Sequence, residues 1–249
     1  MGKNKIEIKN LSKAFNGKIV LNNLNLSVGN GESLVILGRS GVGKSVLIKI
    51  LSTLMEPDAG SIKIDGAEIT AYGKKQRDAL MEQFGFLFQG SALFDSMTVW
   101  ENTAFKLLNN LRLPRETAKQ MAIEKLKLVD ICGDIVDLLP SELSGGMQKR
   151  VALARAIMGN PAIIFFDEPT TGLDPVTANT INKLIVKIKK ITGVTAVTIT
   201  HDVKSAMEIA DRIILLNNGA VEWEGAPEEL AGCDNQLLRE FVGYGALKN

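Results

Sequence analysis

The stretch that most constrains this chain is Gly38-Arg39-Ser40-Gly41-Val42-Gly43-Lys44-Ser45, a match to G-x-x-x-x-G-K-[ST]. The residues before it, Ser33–Leu37 (SLVIL), form an apolar run that predicts a strand buried on both faces. Leu47, Ile50, Leu51 and Leu54 follow at helical spacing and predict a helix over 45–54. A glycine-rich turn between a buried strand and a helix lets backbone N–H groups point inward around a phosphate chain. The helix N-terminus adds partial positive charge there. In such a loop Lys44 reaches the β and γ phosphates, and the Ser45 hydroxyl ligates Mg²⁺. The motif alone predicts binding of a nucleoside triphosphate, not the use to which its energy is put.

A phosphate loop needs a carboxylate to complete Mg²⁺ coordination. Residues 162–166 (AIIFF) predict a second buried strand, and Asp167 ends it. The C-terminal edge of a strand is where α/β folds bind ligands. Asp167 is expected to orient the Mg²⁺ shell, and Glu168 to face the γ phosphate and polarise a water as general base. Pro169 then stops the strand. The single histidine, His201, directly follows a third buried run, 194–200 (VTAVTIT). Asp202 after it is a plausible N-cap for a helix starting near Val203. Gly38, Asp167 and His201 would then lie at three strand ends on one edge of a parallel sheet. A histidine there can hydrogen-bond a γ phosphate; an ordinary structural histidine is the alternative. Leu143-Ser144-Gly145-Gly146-Met147 opens an amphipathic helix striped by Met147, Val151, Ala154 and Met158. Ser144 can cap it, and the bare glycine amides leave its end open to an anion.

The remaining pattern fixes the fold class. The first 30 residues alternate and read as antiparallel strands. A helix is expected over 116–129, and another around Ile181, Leu184, Ile185 and Ile188, with lysines in its last turn and Gly193 as its stop. Runs 213–216 and 220–223 flank Asn218-Gly219, a hairpin signal. Strands alternating with helices predict an α/β fold with a mainly parallel core sheet and an antiparallel β subdomain. The expectation is one domain over 1–249, with an inserted helical subdomain at roughly 90–160.

Composition removes several function classes. Twenty-nine Lys and Arg against 28 Asp and Glu leave a net charge of +1, unlike a strongly basic nucleic-acid or membrane-surface binder. No apolar run approaches the roughly 18 residues of a spanning helix. The start, MGKNKIEIKN, lacks the apolar core of a signal peptide, and Ile6 stands where an acylation motif needs Ser or Thr. Any work on a membrane would therefore require docking onto another chain. Cys132 and Cys233 form no CxxC and read as two reduced thiols. Near the end, Leu237, Leu238, Phe241 and Val242 belong either to a closing core helix or to a docking surface.

The phosphate loop, the LSGGM stretch, the Asp-Glu pair and the single histidine, in this order, resemble the ATPase subunit of an ABC transporter over nearly the whole chain. The resemblance implies the P-loop NTPase fold of ABC ATPases, with ATP and Mg²⁺ bound. It implies that Phe15 stacks on adenine and that Gln89 touches Mg²⁺ and the attacking water while contacting the permease. It also implies that Ser144, Gly145 and Gly146 close over ATP bound to the opposite subunit, with Asp174 across the dimer contact. Lys44, Gln89, Glu168 and His201 would be the catalytic set. A homodimer would sandwich two ATP and drive integral membrane permease subunits from the cytoplasmic face of the inner membrane.

One departure is Met147, where most members carry Gln. The segments FLFQGSALFDSMTVWENTAF (86–105) and PSELSGGM (140–147), and the lack of a C-terminal regulatory domain, resemble a narrower branch. Its members, the MlaF-type ATPases, drive phospholipid movement between bacterial membranes and maintain outer-membrane lipid asymmetry. Partners implied by that branch are an Mce-domain lipid-binding protein and a small accessory subunit, with no nucleic acid. Rival readings are an amino-acid or lipoprotein-release ABC ATPase and a nucleic-acid-associated one. The latter usually carries coiled-coil insertions or two cassettes. A gating module without turnover is a further rival, against which Glu168 argues.

Overall fold

A computed structural model describes residues 4–230 together with 235, 237–239, 241 and 243. The chain forms two compact units, residues 1–82 with 194–249, and residues 83–193. The first unit begins with β1 (Asn4–Phe15), β2 (Lys18–Gly29), β3 (Ser33–Leu37), α1 (Lys44–Leu51), β4 (Ala59–Ile64), β5 (Ala67–Glu68) and α2 (Lys74–Met81). The second holds β6 (Phe84–Leu87), α3 (Val99–Thr103), α4 (Phe105–Asn109), α5 (Arg115–Leu128), α6 (Gly145–Ala156), β7 (Ile163–Asp167) and α7 (Pro175–Thr192). The chain then returns to the first unit with β8 (Thr195–Thr200), α8 (Val203–Ile209), β9 (Arg212–Asn217) and β10 (Ala220–Gly225). The class is the expected one: α/β, with mostly parallel core strands and a separate antiparallel sheet in the order β2-β1-β4-β5.

The antiparallel pair shows how the hydrophobic pattern sets register. A strand buries every second side chain. In β1 the buried apolar residues are Ile6, Ile8 and Leu11, and in β2 they are Leu21, Leu24, Leu26 and Val28, so each series slips by one residue midway. Both slips are absorbed at asparagines in the left-handed region, Asn10 at φ 50° and Asn23 at φ 47°. The displaced backbone is repaired locally: Asn10 N donates to Asn25 Oδ1 and Asn23 N to Ser12 Oγ, each at 3.0 Å. Ile6 can then face Val28, Ile8 face Leu26 and Leu11 face Leu24. Strand β4 adds Ile64 opposite Ile6 and Ile62 opposite Ile8. The β4–α2 stretch carries little periodic signal, since α2 buries only Leu80.

Strand β3 is buried throughout and runs parallel to β8 on one side and β9 on the other, Leu37 pairing with both Thr200 and Leu215. Its start is anchored by Ser33, whose N–H donates to Asp211 Oδ2 and whose hydroxyl donates to the Ile209 carbonyl, both at 2.7 Å. Asn218 and Gly219, at φ 47° and 76°, make the predicted hairpin that lays β10 against β9. Helix α1 is shorter than its apolar spacing suggests. It stops at Leu51 because Thr53 turns left-handed (φ 61°) and both Leu54 N and Met55 N return to the Lys49 carbonyl. Leu54 is consequently exposed.

In the second unit β6 pairs parallel with β7, Phe84 opposite Ile163 and Leu87 opposite Phe166. Phe84 meets Phe165 edge to face at 5.3 Å, and Phe86 stacks on Phe165 at 5.4 Å. Helix α5 buries Ala118, Ala122 and Leu126, as its stripe predicts. Helix α7 stops at left-handed Gly193, as predicted, and the structure places its start at Asp174-Pro175. Among the described residues no helix is long and apolar enough to cross a membrane. Cys132 is a free, exposed thiol, and Cys233 lies outside the described residues. Leu238 is fully buried, which favours a core role at that position, whereas Val242 lies outside the described residues.

Helix α6 packs on β6 at Gly85, where a Cβ would lie 2.1 Å from the Ala156 carbonyl oxygen. Backbone cannot yield as a flexible side chain does, so Gly85→Ala should destabilise the chain by about 2–3 kcal/mol. A lowered urea midpoint at unchanged slope would show it; an unchanged midpoint would mean that α6 is free to shift.

Candidate nucleotide site

The first unit supplies the phosphate loop. Strand β3 delivers Gly38 to its start, and α1 receives the chain at Lys44. Gly41 and Gly43 sit at φ +80° and +112°, values that exclude a side chain without strain. At Gly43 a Cβ would also press on Val20, with Cγ1 and the carbonyl oxygen each at 3.0 Å. The N-cap of α1 is Gly43 itself, so no side chain competes for the first amides of the helix. The buried Lys44 ammonium bridges the loop carbonyls, donating to Gly38 at 2.5 Å and to Arg39 at 3.2 Å. Arg39, Ser40 and Ser45 are exposed. The loop is therefore a ring of backbone with a cation fixed across it, a cradle for a polyphosphate.

Two predicted residues lie in the same unit as that loop. Leu37 pairs in register with Thr200, so Gly38 and His201 each lie one residue past the ends of adjacent parallel strands. The turn after β8 is fixed: Asp202 N donates to Thr200 Oγ1, and the Asp202 carboxylate caps α8 through Lys204 N, each at 3.0 Å. Phe15 ends β1 and pairs with Lys18 at the hairpin tip. It is 42% exposed, which removes it from the core, and Lys13 Nζ lies 5.5 Å from its ring centroid. Val20, near the same tip, is the residue that touches Gly43. Periodicity marks Val20 only as a strand residue and does not flag it for the site.

The second unit carries the acids and Gln89. Because Leu87 pairs with Phe166, Phe88 and Gln89 leave β6 beside the point where Asp167 ends β7 and Glu168 follows it. Both acids are partly buried. Glu168 is left-handed at φ 49°, a conformation that costs a non-glycine residue about 1–2 kcal/mol and concentrates at functional positions. Thr171 Oγ1 donates to Glu168 Oε2 at 2.9 Å and orients the carboxylate.

The structure adds a residue that the sequence reading missed. Lys149 of α6 is buried, and its Nζ donates to the carbonyls of Phe88, at 3.3 Å, and Gln89. Burial pulls this ammonium below the ordinary lysine range, and the charges of Asp167 and Glu168 pull it back up. Its one sequence signal is a lysine on the helix face that also buries Ala152, Leu153 and Ala156.

Ser144 caps α6, its Oγ accepting from Met147 N at 3.3 Å, and Ser144 and Gly145 are exposed. Gly146 is needed for packing, since a Cβ there would lie 2.6 Å from Thr177 Cγ2. Thr177 is held in turn by Asp174, whose Oδ1 accepts its N–H at 3.0 Å and whose Oδ2 accepts its hydroxyl at 2.5 Å. Those hydrogen bonds hold the Asp174 carboxyl below the usual carboxylate range. The Ser144 turn and Asp174 are thus joined through Thr177.

Among the described residues no group of three or more His, Cys, Asp or Glu could hold a metal ion by itself. Mg²⁺ takes one or two protein ligands and completes its octahedron with phosphate oxygens and water. Ser45, Gln89 and Asp167 have the donor chemistry for it.

The sequence profile of the ABC transporter family matches residues 21–171. The intermembrane phospholipid transport system ATP-binding protein MlaF of Haemophilus influenzae is 37% identical over 97% of this chain and 91% of its own length. The methionine import ATP-binding protein MetN of Carboxydothermus hydrogenoformans is 41% identical over 95% of this chain and 71% of its own length. The dimeric ATP-binding cassette MJ0796, in a post-hydrolysis state bound to ADP and Pi, aligns with a TM-score of 0.80 at 34% identity, covering 89% of this chain and 98% of that one. The cassette cbiO1 of Clostridium perfringens, part of the ABC transporter complex cbiONQ, gives 0.85 at 29% identity over 99% of both chains. With a phosphate loop, then a serine-capped glycine turn, then a strand-end acid pair along its length, and with the family profile and these relatives matching it, this chain belongs to the ABC transporter family as an ATP-binding subunit and ATPase.

Proposed function

We propose that this ATPase is the motor of a phospholipid transporter that works between bacterial membranes. The observation that carries the reading is the LSGGM turn, read together with the MlaF relative that spans nearly the whole chain. Met147 replaces the usual Gln without loss to the turn, because its contribution to the Ser144 cap is its backbone N–H.

In this reading Phe15 stacks on adenine, and residues 38–45 wrap the triphosphate. Lys44 exchanges its carbonyl partners for the β and γ phosphates. Ser45, Asp167 and Gln89 would hold Mg²⁺, which when bound would neutralise charge on the phosphate oxygens. Glu168 takes the proton from the water as its oxygen bonds to the γ phosphorus and the bond to the β-phosphate oxygen breaks. His201 hydrogen-bonds the γ phosphate. Ser144, Gly145, Gly146 and Asp174 face the ATP of a second copy, so the working unit is a homodimer. The chain is one cassette over 1–249 with its helical subdomain at roughly 90–160. It sits on the cytoplasmic face of the inner membrane, held by permease subunits, with an Mce-domain protein and a small accessory subunit as further partners.

Two substitutions separate binding from chemistry. Lys44→Ala removes charged hydrogen bonds worth about 1.5–3 kcal/mol, so ATP affinity should fall ~10–100-fold in a fluorescent-nucleotide titration. Glu168→Gln should bind ATP normally, lose turnover by about 10²–10⁴-fold and elute as an ATP-bound dimer. Normal hydrolysis by that variant would overturn its role as base. For the cargo, the tagged chain is purified from native membranes in mild detergent, and its partners and lipids are identified by mass spectrometry. A permease with an Mce-domain protein and phospholipid is the expected result. A solute-import permease would retain the motor and refute the lipid, and recovery with DNA or ribosomes alone would refute transport.

A further inference from the structure

Between the end of β6 and the start of α3, residues 88–98 have no strand or helix of their own. Their backbone is held by side chains instead. Arg155 of α6 donates from Nη2 to the Ser91 carbonyl and from Nη1 to the Ala92 carbonyl, each at 2.6 Å. Lys149, six residues earlier on the same helix, takes the carbonyls of Phe88 and Gln89. Four of the five carbonyls over 88–92 thus point at two cations of one helix. The downstream half is pinned by Asn102, fully buried, whose Oδ1 accepts from Phe94 N at 2.7 Å. Its Nδ2 donates to the carbonyls of Phe94 (3.0 Å), Met97 (2.9 Å) and Thr98 (3.1 Å).

The pinned backbone is not one that the chain would choose unaided. Ser91 and Ala92 are consecutive non-glycine residues in the left-handed region, at φ 62° and 48°. Such pairs persist only where the surroundings over-determine them. Burying a lysine and half-burying an arginine to satisfy carbonyls that water would otherwise solvate is a poor route to stability. It is a good route to a fixed geometry, because a guanidinium fork sets two acceptors at once.

We propose that Lys149 and Arg155 are positioning residues of the hydrolytic site, clamping the 88–92 backbone so that Gln89 is held in the one conformation that turnover uses. The inference rests on the role given above to Gln89. Neither cation touches the nucleotide; both act through the main chain that carries Gln89.

The test is steady-state ATP hydrolysis by the full chain. Arg155→Met should lower kcat by about tenfold or more, as misplacing a catalytic group does, while the KM for ATP stays within about twofold. Arg155→Lys keeps the charge but loses the fork, and its kcat should fall between the two. The discriminating variant is Arg155→Met combined with Ala92→Gly. Glycine adopts φ near +50° without help, so the double variant should recover a substantial part of the lost kcat. A folded Arg155→Met protein with normal kcat, or a double variant with no recovery, overturns the clamp. Gln89→Ala is run beside them. Full turnover in that variant alone would overturn the reading of Gln89, and the clamp with it. Reduced turnover there, with normal kcat in Arg155→Met, would overturn only the clamp.

Discussion

Parallel strands that pair in register must end together, and the chemistry of this chain hangs on that constraint. In the first unit Leu37 faces Thr200, so the phosphate loop and His201 emerge side by side. In the second unit Leu87 faces Phe166, so Gln89 emerges beside Asp167 and Glu168. A slip of one residue in either pairing would turn every side chain over and separate these groups. The pairing is itself secured by burial. β3 and β8 have no exposed residue, and the phenylalanines of β6 and β7 lock against one another.

Around these strand ends the backbone is repeatedly left-handed. At Gly41 and Gly43 glycine makes this nearly free, and it is what opens the loop amides to a phosphate chain. At Glu168, and at Ser91 and Ala92, the residue has a Cβ and the conformation must be held from outside. Thr171 braces Glu168, and α6 braces the pair. The same conformation occurs away from these strand ends, at Thr53, Arg112 and Asp130 among others, so what marks Glu168, Ser91 and Ala92 is the bracing and not the conformation alone.

Helix α6 is short for what it carries. Its N-terminus presents the Ser144 turn, its second turn buries Lys149 against the Gln89 carbonyl, and its C-terminal half holds Arg155 and packs without gap on Gly85. Thr177 joins the same N-terminus to Asp174. One rigid element of 12 residues therefore fixes the geometry of several proposed site groups in its unit.

The sequence by itself determined the elements that carry a strong local signal. The phosphate loop between a continuous apolar strand and a helix, the strand ending at Asp167, the caps at Ser144 and Asp202, the Asn218-Gly219 hairpin and the Gly193 stop all follow from residue chemistry over short spans. So does membership of the ABC family, because its motifs are contiguous strings in a fixed order. The tertiary structure decided what depends on distant partners. It gave Lys149 and Arg155 their carbonyls, took Phe15 out of the core and exposed Leu54 by ending α1 early. It also required Gly85 and Gly146, where packing and not a turn excludes a side chain. It built β4, β5 and α2 from residues with little periodicity. The reason is physical: caps, turns and apolar periodicity act over a few residues, whereas burial of a cation or contact of a Cβ with another backbone exists only once separate segments meet.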